Sequence, residues 1–102
     1  MGSPVVEFAP DHPCGAGHFP GNPLIPGALL LAAVLAEIAA DLGVADVWQV
    51  KSAKFLLPVR PGDSVEVAYS PAAAGEIRFN GSVAGQQVIS GIVYALPGEA
   101  PR

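Results

Sequence analysis

The stretch from Gly27 to Leu42 (GALLLAAVLAEIAADL) constrains this chain most. It has no Pro and, after Gly27, no Gly, and it is dominated by Ala and Leu, the strongest helix formers. Pro26 suits the first position of a helix and Gly43 the C′ position. The pattern predicts one helix over Gly27–Leu42, about 24 Å long at 1.5 Å per residue. Its apolar side chains run all the way round until Glu37 and Asp41, the mark of a buried helix. Such a helix needs cover on every side.

The cover must be β. Val5–Phe8 is a short strand candidate, and Val47–Leu57 is a long one ending at Pro58. Ser64–Tyr69 and Glu76–Val83 alternate, with Ile77, Phe79 and Val83 on one face of the latter. Gln87–Leu96 is apolar on both faces, as a central strand should be. Turn signals separate these runs at Pro61-Gly62-Asp63, Pro71–Gly75 and Gly85-Gln86. The expected order is one strand, a loop, one helix and four antiparallel strands. One curved sheet wrapped around the helix supplies most of the cover, and a partner subunit can supply the rest. Ala residues at 32, 33, 36, 39 and 40 would permit close helix contact in a dimer.

At 102 residues the chain is expected to form one domain, 1–102, with its core at about 5–96. Half of the residues are hydrophobic (51%) and only 14% are charged, which excludes an intrinsically disordered chain. So much apolar surface on so small a chain points to a homodimer or higher oligomer. The net charge of −4, with five Lys and Arg in all, excludes a nucleic-acid binder, which needs clustered cations. The longest apolar run, Ala28–Ala36, has nine residues, too few for a membrane span of about twenty. No secretory leader is visible, and a single cysteine, Cys14, fits a reducing cytoplasm. Cys14 and two histidines do not make a structural metal site, and nothing suggests a cofactor.

From Pro10 to Pro26 eight Pro and Gly residues exclude both helix and central strand. An irregular loop of that length in a small domain is more often functional than not. Its residues are distinctive: His18-Phe19-Pro20-Gly21-Asn22-Pro23-Leu24-Ile25-Pro26-Gly27, followed at once by the apolar helix. This stretch resembles the signature of the hotdog-fold 3-hydroxyacyl-acyl-carrier-protein dehydratases, the FabA/FabZ-like family. Lys54–Asp63 (KFLLPVRPGD) and the ending from Ile77 to Tyr94 also look like that family, so the resemblance runs from about Val5 to Leu96.

The resemblance implies a hotdog fold of the α+β class, one curved antiparallel sheet around a central helix. It also implies a lyase acting on thioesters of acyl carrier protein or coenzyme A, in fatty acid biosynthesis or a related pathway. Dehydration of a 3-hydroxyacyl thioester needs a base for the proton beside the carbonyl, stabilisation of the thioester oxygen, and an acid for the leaving hydroxyl. His18 is the natural base, since an imidazole titrates near neutrality. By resemblance the Leu24 carbonyl fixes its tautomer, and the Gly27 amide, at the positive end of the helix, serves as oxyanion donor. Phe19, Leu24, Ile25, Pro26 and Ala32 are the expected substrate contacts, Phe19 and Ile25 as packing residues that can line an acyl tunnel.

One position departs from the family. Its acid is a Glu or Asp on the helix, fourteen residues after the histidine, where this chain has Ala32. Glu37 points about 140° away from the Ala32 face of the helix and Asp41 about 180° away. Glu7, Asp11, His12 or a substrate-bound water are open as substitutes. Three readings follow: a dehydratase-like enzyme; a non-catalytic hotdog homologue that binds acyl thioesters or completes a complex; and a thioesterase. Three of the five cations, Lys51, Lys54 and Arg60, fall close together and could aid docking of a carrier protein or of coenzyme A phosphates. The same strip also reads as an ordinary solvated edge.

Overall fold

The computed structural model describes residues 4–9 and 24–97. The loop expected between Pro10 and Pro23, with Cys14, His18 and Phe19, lies outside the described residues. Strand β1 (Val5–Glu7) precedes helix α1 (Gly27–Leu42), followed by β2 (Trp48–Phe55), β3 (Ser64–Pro71), β4 (Glu76–Val83) and β5 (Gln86–Ala95). The strands form one antiparallel sheet in the order β1-β3-β4-β5-β2. The α+β arrangement of one sheet and one long helix is the expected one, and the bounds of α1 and β4 fall where the sequence put them.

The helix ends as its sequence requires. The chain turns left-handed at Gly43 (φ 73°), and the amides of Gly43 and Val44 both donate to the Ala39 carbonyl, at 2.8 and 3.0 Å. The hydroxyl of Tyr69 on β3 donates to Asp41, which ties the last helical turn to the sheet and raises the Tyr69 pKa. At the other end, the Ile25 amide donates to the Val59 carbonyl at 2.7 Å. That bond sets the first turn of α1 against the segment that leaves β2.

The core lies between one face of α1 and the concave face of the sheet. Leu30, Val34, Leu35 and Ile38 of the helix meet Val65 and Val67 of β3, Phe79 of β4, and Val88, Ile89 and Val93 of β5. Val6, Phe8, Ile25 and Val59 close the ends. Adjacent residues Val88 and Ile89 are both buried, consistent with β5 lying between β4 and β2. The hairpin from β4 to β5 turns on Ala84 and Gly85, both at positive φ (52° and 81°), as a two-residue turn between right-twisted strands requires.

Within a single chain the sheet covers only part of the helix, and the rest is left for the partner subunit that the sequence reading expects. Ala28, Leu29, Ala32, Ala36 and Ala40 are exposed. Five strands that curl to one side of α1 cover one face of it and leave the other open. Strand β2 is open as well: it is the last strand in the sheet, and most of its residues, Val50 and Phe55 among them, are exposed. Its pairing with β5 slips between Val50 and Ser52, which sets Lys51 outside the ladder. Lys51 reaches instead to Glu76, Nζ to Oε2 2.6 Å.

Candidate functional site at the start of the helix

Two cavities flank the first half of α1. The first, about 250 Å³, opens at the helix start and is lined by Ile25, Gly27, Leu30 and the Phe55–Val59 segment. Pro26 precedes the helix with no side-chain cap, and no acidic residue stands in the first turn. The Leu30 amide makes the first bond back into the helix, to the Pro26 carbonyl at 3.0 Å. The amides before it, that of Gly27 included, belong to the turn whose N–H groups have no partner within a helix. Their partial positive charge faces an apolar hollow, where an oxygen gaining negative charge would be stabilised.

Glycine at 27 keeps that approach narrow but open. A Cβ there would lie 3.2 Å from Cε1 of Phe55 and 3.3 Å from its Cζ. Ile25 is buried in the wall, Leu24 is half-buried, and Pro26 is exposed at the turn. The structure therefore brings Ile25 and Gly27 to one hollow. Of the other expected site residues, His18 and Phe19 lie outside the described residues.

The second cavity, about 370 Å³, lies along the open side of the helix. Ala28, Leu31, Ala32 and Leu35 form one wall, and Asp46, Trp48 and Val50 form the other. The methyl of Ala32 thus faces space rather than core. Trp48 is half-buried against the core, and its indole N–H donates to Oδ1 of Asp46 at 2.7 Å. Phe55, Leu57 and Asp46 were not among the residues expected from sequence. Phe55 ends β2 and Leu57 follows it, and no spacing singles them out as lining. Asp46 sits in a connecting turn that only the folded chain brings beside the helix.

Other expected residues fall elsewhere. Lys51 is held by Glu76, while Lys54 and Arg78 line a shallow groove with Ser52 and Ser90, so the basic strip is divided. Glu76 accepts from Lys51 and from the Tyr94 hydroxyl, at 2.6 and 2.9 Å, and both bonds hold its carboxyl below the usual carboxylate range. Lys51 is correspondingly pushed up. Among the described residues no group of three His, Cys, Asp or Glu is placed to hold a metal, and no helix is long and apolar enough to cross a membrane.

Comparison with known proteins places this arrangement. The profile of the ApeI-like family, described as ApeI dehydratase, matches residues 4–92. This chain belongs to the ApeI-like family. A 3-hydroxyacyl-[acyl-carrier-protein] dehydratase FabZ from Latilactobacillus sakei is 44% identical over 59 aligned positions, 50% of this chain and 42% of that one. The chain spans about half the length of the curated relatives it matches. Among solved structures, the dehydratase heterocomplex ApeI:P from Xenorhabdus doucetiae superposes with a TM-score of 0.68 at 22% identity, covering 88% of this chain and 81% of that one. A hexameric hotdog fold thioesterase of Campylobacter jejuni superposes at 0.53 and 18% identity, covering 97% and 92%. The fold of this ApeI-like chain is the hotdog. Its helix start, with Gly27 opening on a hollow, follows directly on the His18–Pro26 segment that carries the family resemblance.

Proposed function

We propose that the chain acts on 3-hydroxyacyl thioesters of acyl carrier protein or coenzyme A, removing water to give the 2-enoyl thioester or adding it back. The observation that carries this reading is the uncapped helix start at Gly27, opening on an apolar cavity directly after the His18 motif. His18 takes the proton from C2, and the electrons of that bond move toward the thioester carbonyl. The Gly27 amide donates to the carbonyl oxygen as it gains charge, and the C3–O bond then breaks. The acyl chain runs along the apolar walls of Ile25, Leu30 and Leu57. Membership of a dehydratase family and likeness to FabZ dehydratases support the assignment. No metal or redox step is required, because acid–base chemistry and one oxyanion donor suffice.

The functional unit in this reading is a homodimer in a reducing cytoplasm. The open face of α1, with Ala32, Ala36 and Ala40, and the unpaired edge of β2 are the surfaces that a second copy would cover.

Ala32 favours a second reading. With no carboxylate at the family's acid position, the chain is in this second reading a non-catalytic subunit that binds acyl thioesters or completes a complex; a protein of similar fold, ApeI:P, is described as a dehydratase heterocomplex. Hydration of crotonyl thioester, followed by loss of enoyl absorbance, separates the two. Activity in the wild type that falls at least 100-fold in His18→Ala supports the enzyme. A silent wild type that Ala32→Glu awakens supports the subunit.

A further inference from the structure

The outer face of the sheet carries a polar groove. Phe79 of β4 and Ile89 and Val93 of β5 point into the core, so the residues that alternate with them face away from α1. On that outer face Ile92 of β5 lies between Arg78 of β4 and Ser52 of β2, and Ser90 lies between Asn80 and Lys54. Ser52, Lys54, Arg78 and Ser90 line one groove of about 250 Å³, and no carboxylate lines it. A chain of net charge −4 thus gathers two of its five cations around one hollow. Among the described residues neither Lys54 nor Arg78 makes a hydrogen bond or an ion pair. Glu76, two residues before Arg78 on the same strand, is held by Lys51 and by the Tyr94 hydroxyl, and Arg78 lowers its carboxyl less than either of them does.

We infer that this groove binds the phosphate group of the pantetheine arm, the group common to thioesters of coenzyme A and of a carrier protein; the inference rests on the thioester reading above. The donors suit a phosphate. Arg78 offers a planar fork of N–H groups, Lys54 an ammonium, and Ser52 and Ser90 two hydroxyls, matching an anion with several terminal oxygens. Lys54 and Arg78 sit on either side of β5 and one pair row apart, so their backbones are about 12 Å apart and both long side chains can reach one group above Ser90.

The groove is also placed to serve the hollow at Gly27. Lys54 and Phe55 are the last two residues of β2 and face opposite sides of the sheet, Lys54 paired with Ser90 and Phe55 with buried Ile89. Phe55 lines the hollow, and its ring stands 3.2 Å from where a Cβ on Gly27 would lie. One residue therefore separates the phosphate groove from the thioester hollow, and the long arm passes from one to the other around the end of β2. A second copy on the open face of α1 or on the edge of β2 leaves this outer face uncovered.

Pantetheine and 4′-phosphopantetheine differ only by the phosphate, so they test the groove directly. Calorimetric titration of the full chain with each free thiol reads binding without turnover. The wild type is expected to bind 4′-phosphopantetheine about tenfold more tightly than pantetheine, and the double variant Lys54→Ala/Arg78→Ala to bind the two equally. Both side chains are exposed, so the double variant should melt like the wild type. With the crotonyl thioesters of the same two thiols, the phosphate should lower KM about tenfold in the wild type, with kcat unchanged, and should have no effect in the double variant. A rise in KM of the double variant for crotonyl-coenzyme A, for crotonyl carrier protein or for both tells the two sources apart, and no rise for either overturns the inference. Equal binding of both thiols by a wild type that hydrates their crotonyl thioesters overturns the groove and leaves the proposed activity standing. Inorganic phosphate that displaces 4′-phosphopantetheine at equal concentration marks a site for free phosphate and overturns the assignment to the arm. A wild type that prefers the phosphorylated thiol but hydrates nothing supports the groove and overturns the proposed activity.

Discussion

Substituting Ala for Gly27 separates what the helix start does for stability from what it does for chemistry. The added methyl would sit 3.2 Å from Cε1 of Phe55. Carbon atoms in favourable contact lie about 3.5–4.0 Å apart, so the ring must retreat by a few tenths of an ångström. Phe55 is 51% exposed at the sheet edge and can swing outward at small cost. Against this stands the gain of Ala over Gly in a helix, at most about 1 kcal/mol and less in the first turn. The two effects nearly cancel, so Gly27→Ala is expected to keep its stability within about 1 kcal/mol, or roughly 4–8 °C in Tm. Activity is a different matter, because the methyl fills the approach to the amide. Loss of one oxyanion donor costs about 10²–10³ in kcat. Hydration of crotonyl thioester and a thermal melt on the same preparation give both quantities. A variant that melts like the wild type and turns over within threefold of it would refute the reasoning, since no substrate oxygen could then need that amide.

Two further outcomes follow from packing and charge. At Gly91 a Cβ would lie 2.5 Å from the Ser52 carbonyl oxygen of β2 and 2.8 Å from the Phe79 ring. Backbone cannot swing aside as Phe55 can, so Gly91→Ala should cost about 3 kcal/mol or more and lower Tm by at least ~12 °C; an unchanged melt would contradict the packing. Glu76 titrates below its ordinary range when folded, chiefly because Lys51 and then Tyr94 donate to it. Its contribution to stability is present above the unfolded carboxylate pKa of about 4.3 and is lost as pH falls through the lower folded value. Lys51, pushed up, contributes below about pH 10.4 and loses that contribution as pH rises through its raised folded value. Tm measured from pH 3 to 7 should fall more steeply on acidification in the wild type than in Glu76→Gln; parallel curves would show that the ion pair does not affect stability.

Much of this fold is legible in the sequence, because local chemistry sets it. Pro26 and Gly43 bracket α1, and the alternation of Ile77, Phe79 and Val83 marks β4. The place of β2 is not legible. Nothing in its mixed run of polar and apolar residues says where in the sheet it lies, and the order β1-β3-β4-β5-β2 puts it at the edge. An apolar surface meant for a partner has the same composition as one meant for the core, so the all-round apolar helix does not reveal which of its faces the sheet covers. Gly27 could be singled out because it opens the helix directly after the motif that carries the resemblance, where the lack of a side chain leaves its amide accessible. Asp46 could not, because its relation to Ala32 exists only once the turn after α1 brings it back beside the helix.

In the proposed homodimer, the open edge of β2 bears on how the chain survives before it meets a second copy. Its backbone N–H and C=O groups can pair with any extended segment that comes near, and exposed Val50, Phe55, Leu56 and Leu57 make such encounters adhesive. Lys51 and Lys54 are the charges available on this strand to discourage them, and Lys51 is partly neutralised by Glu76. A chain whose edge is sealed only by association has a melting temperature that rises with its own concentration. Dilution, or synthesis without a partner, then turns the strand that closes the assembly into the starting point of aggregation.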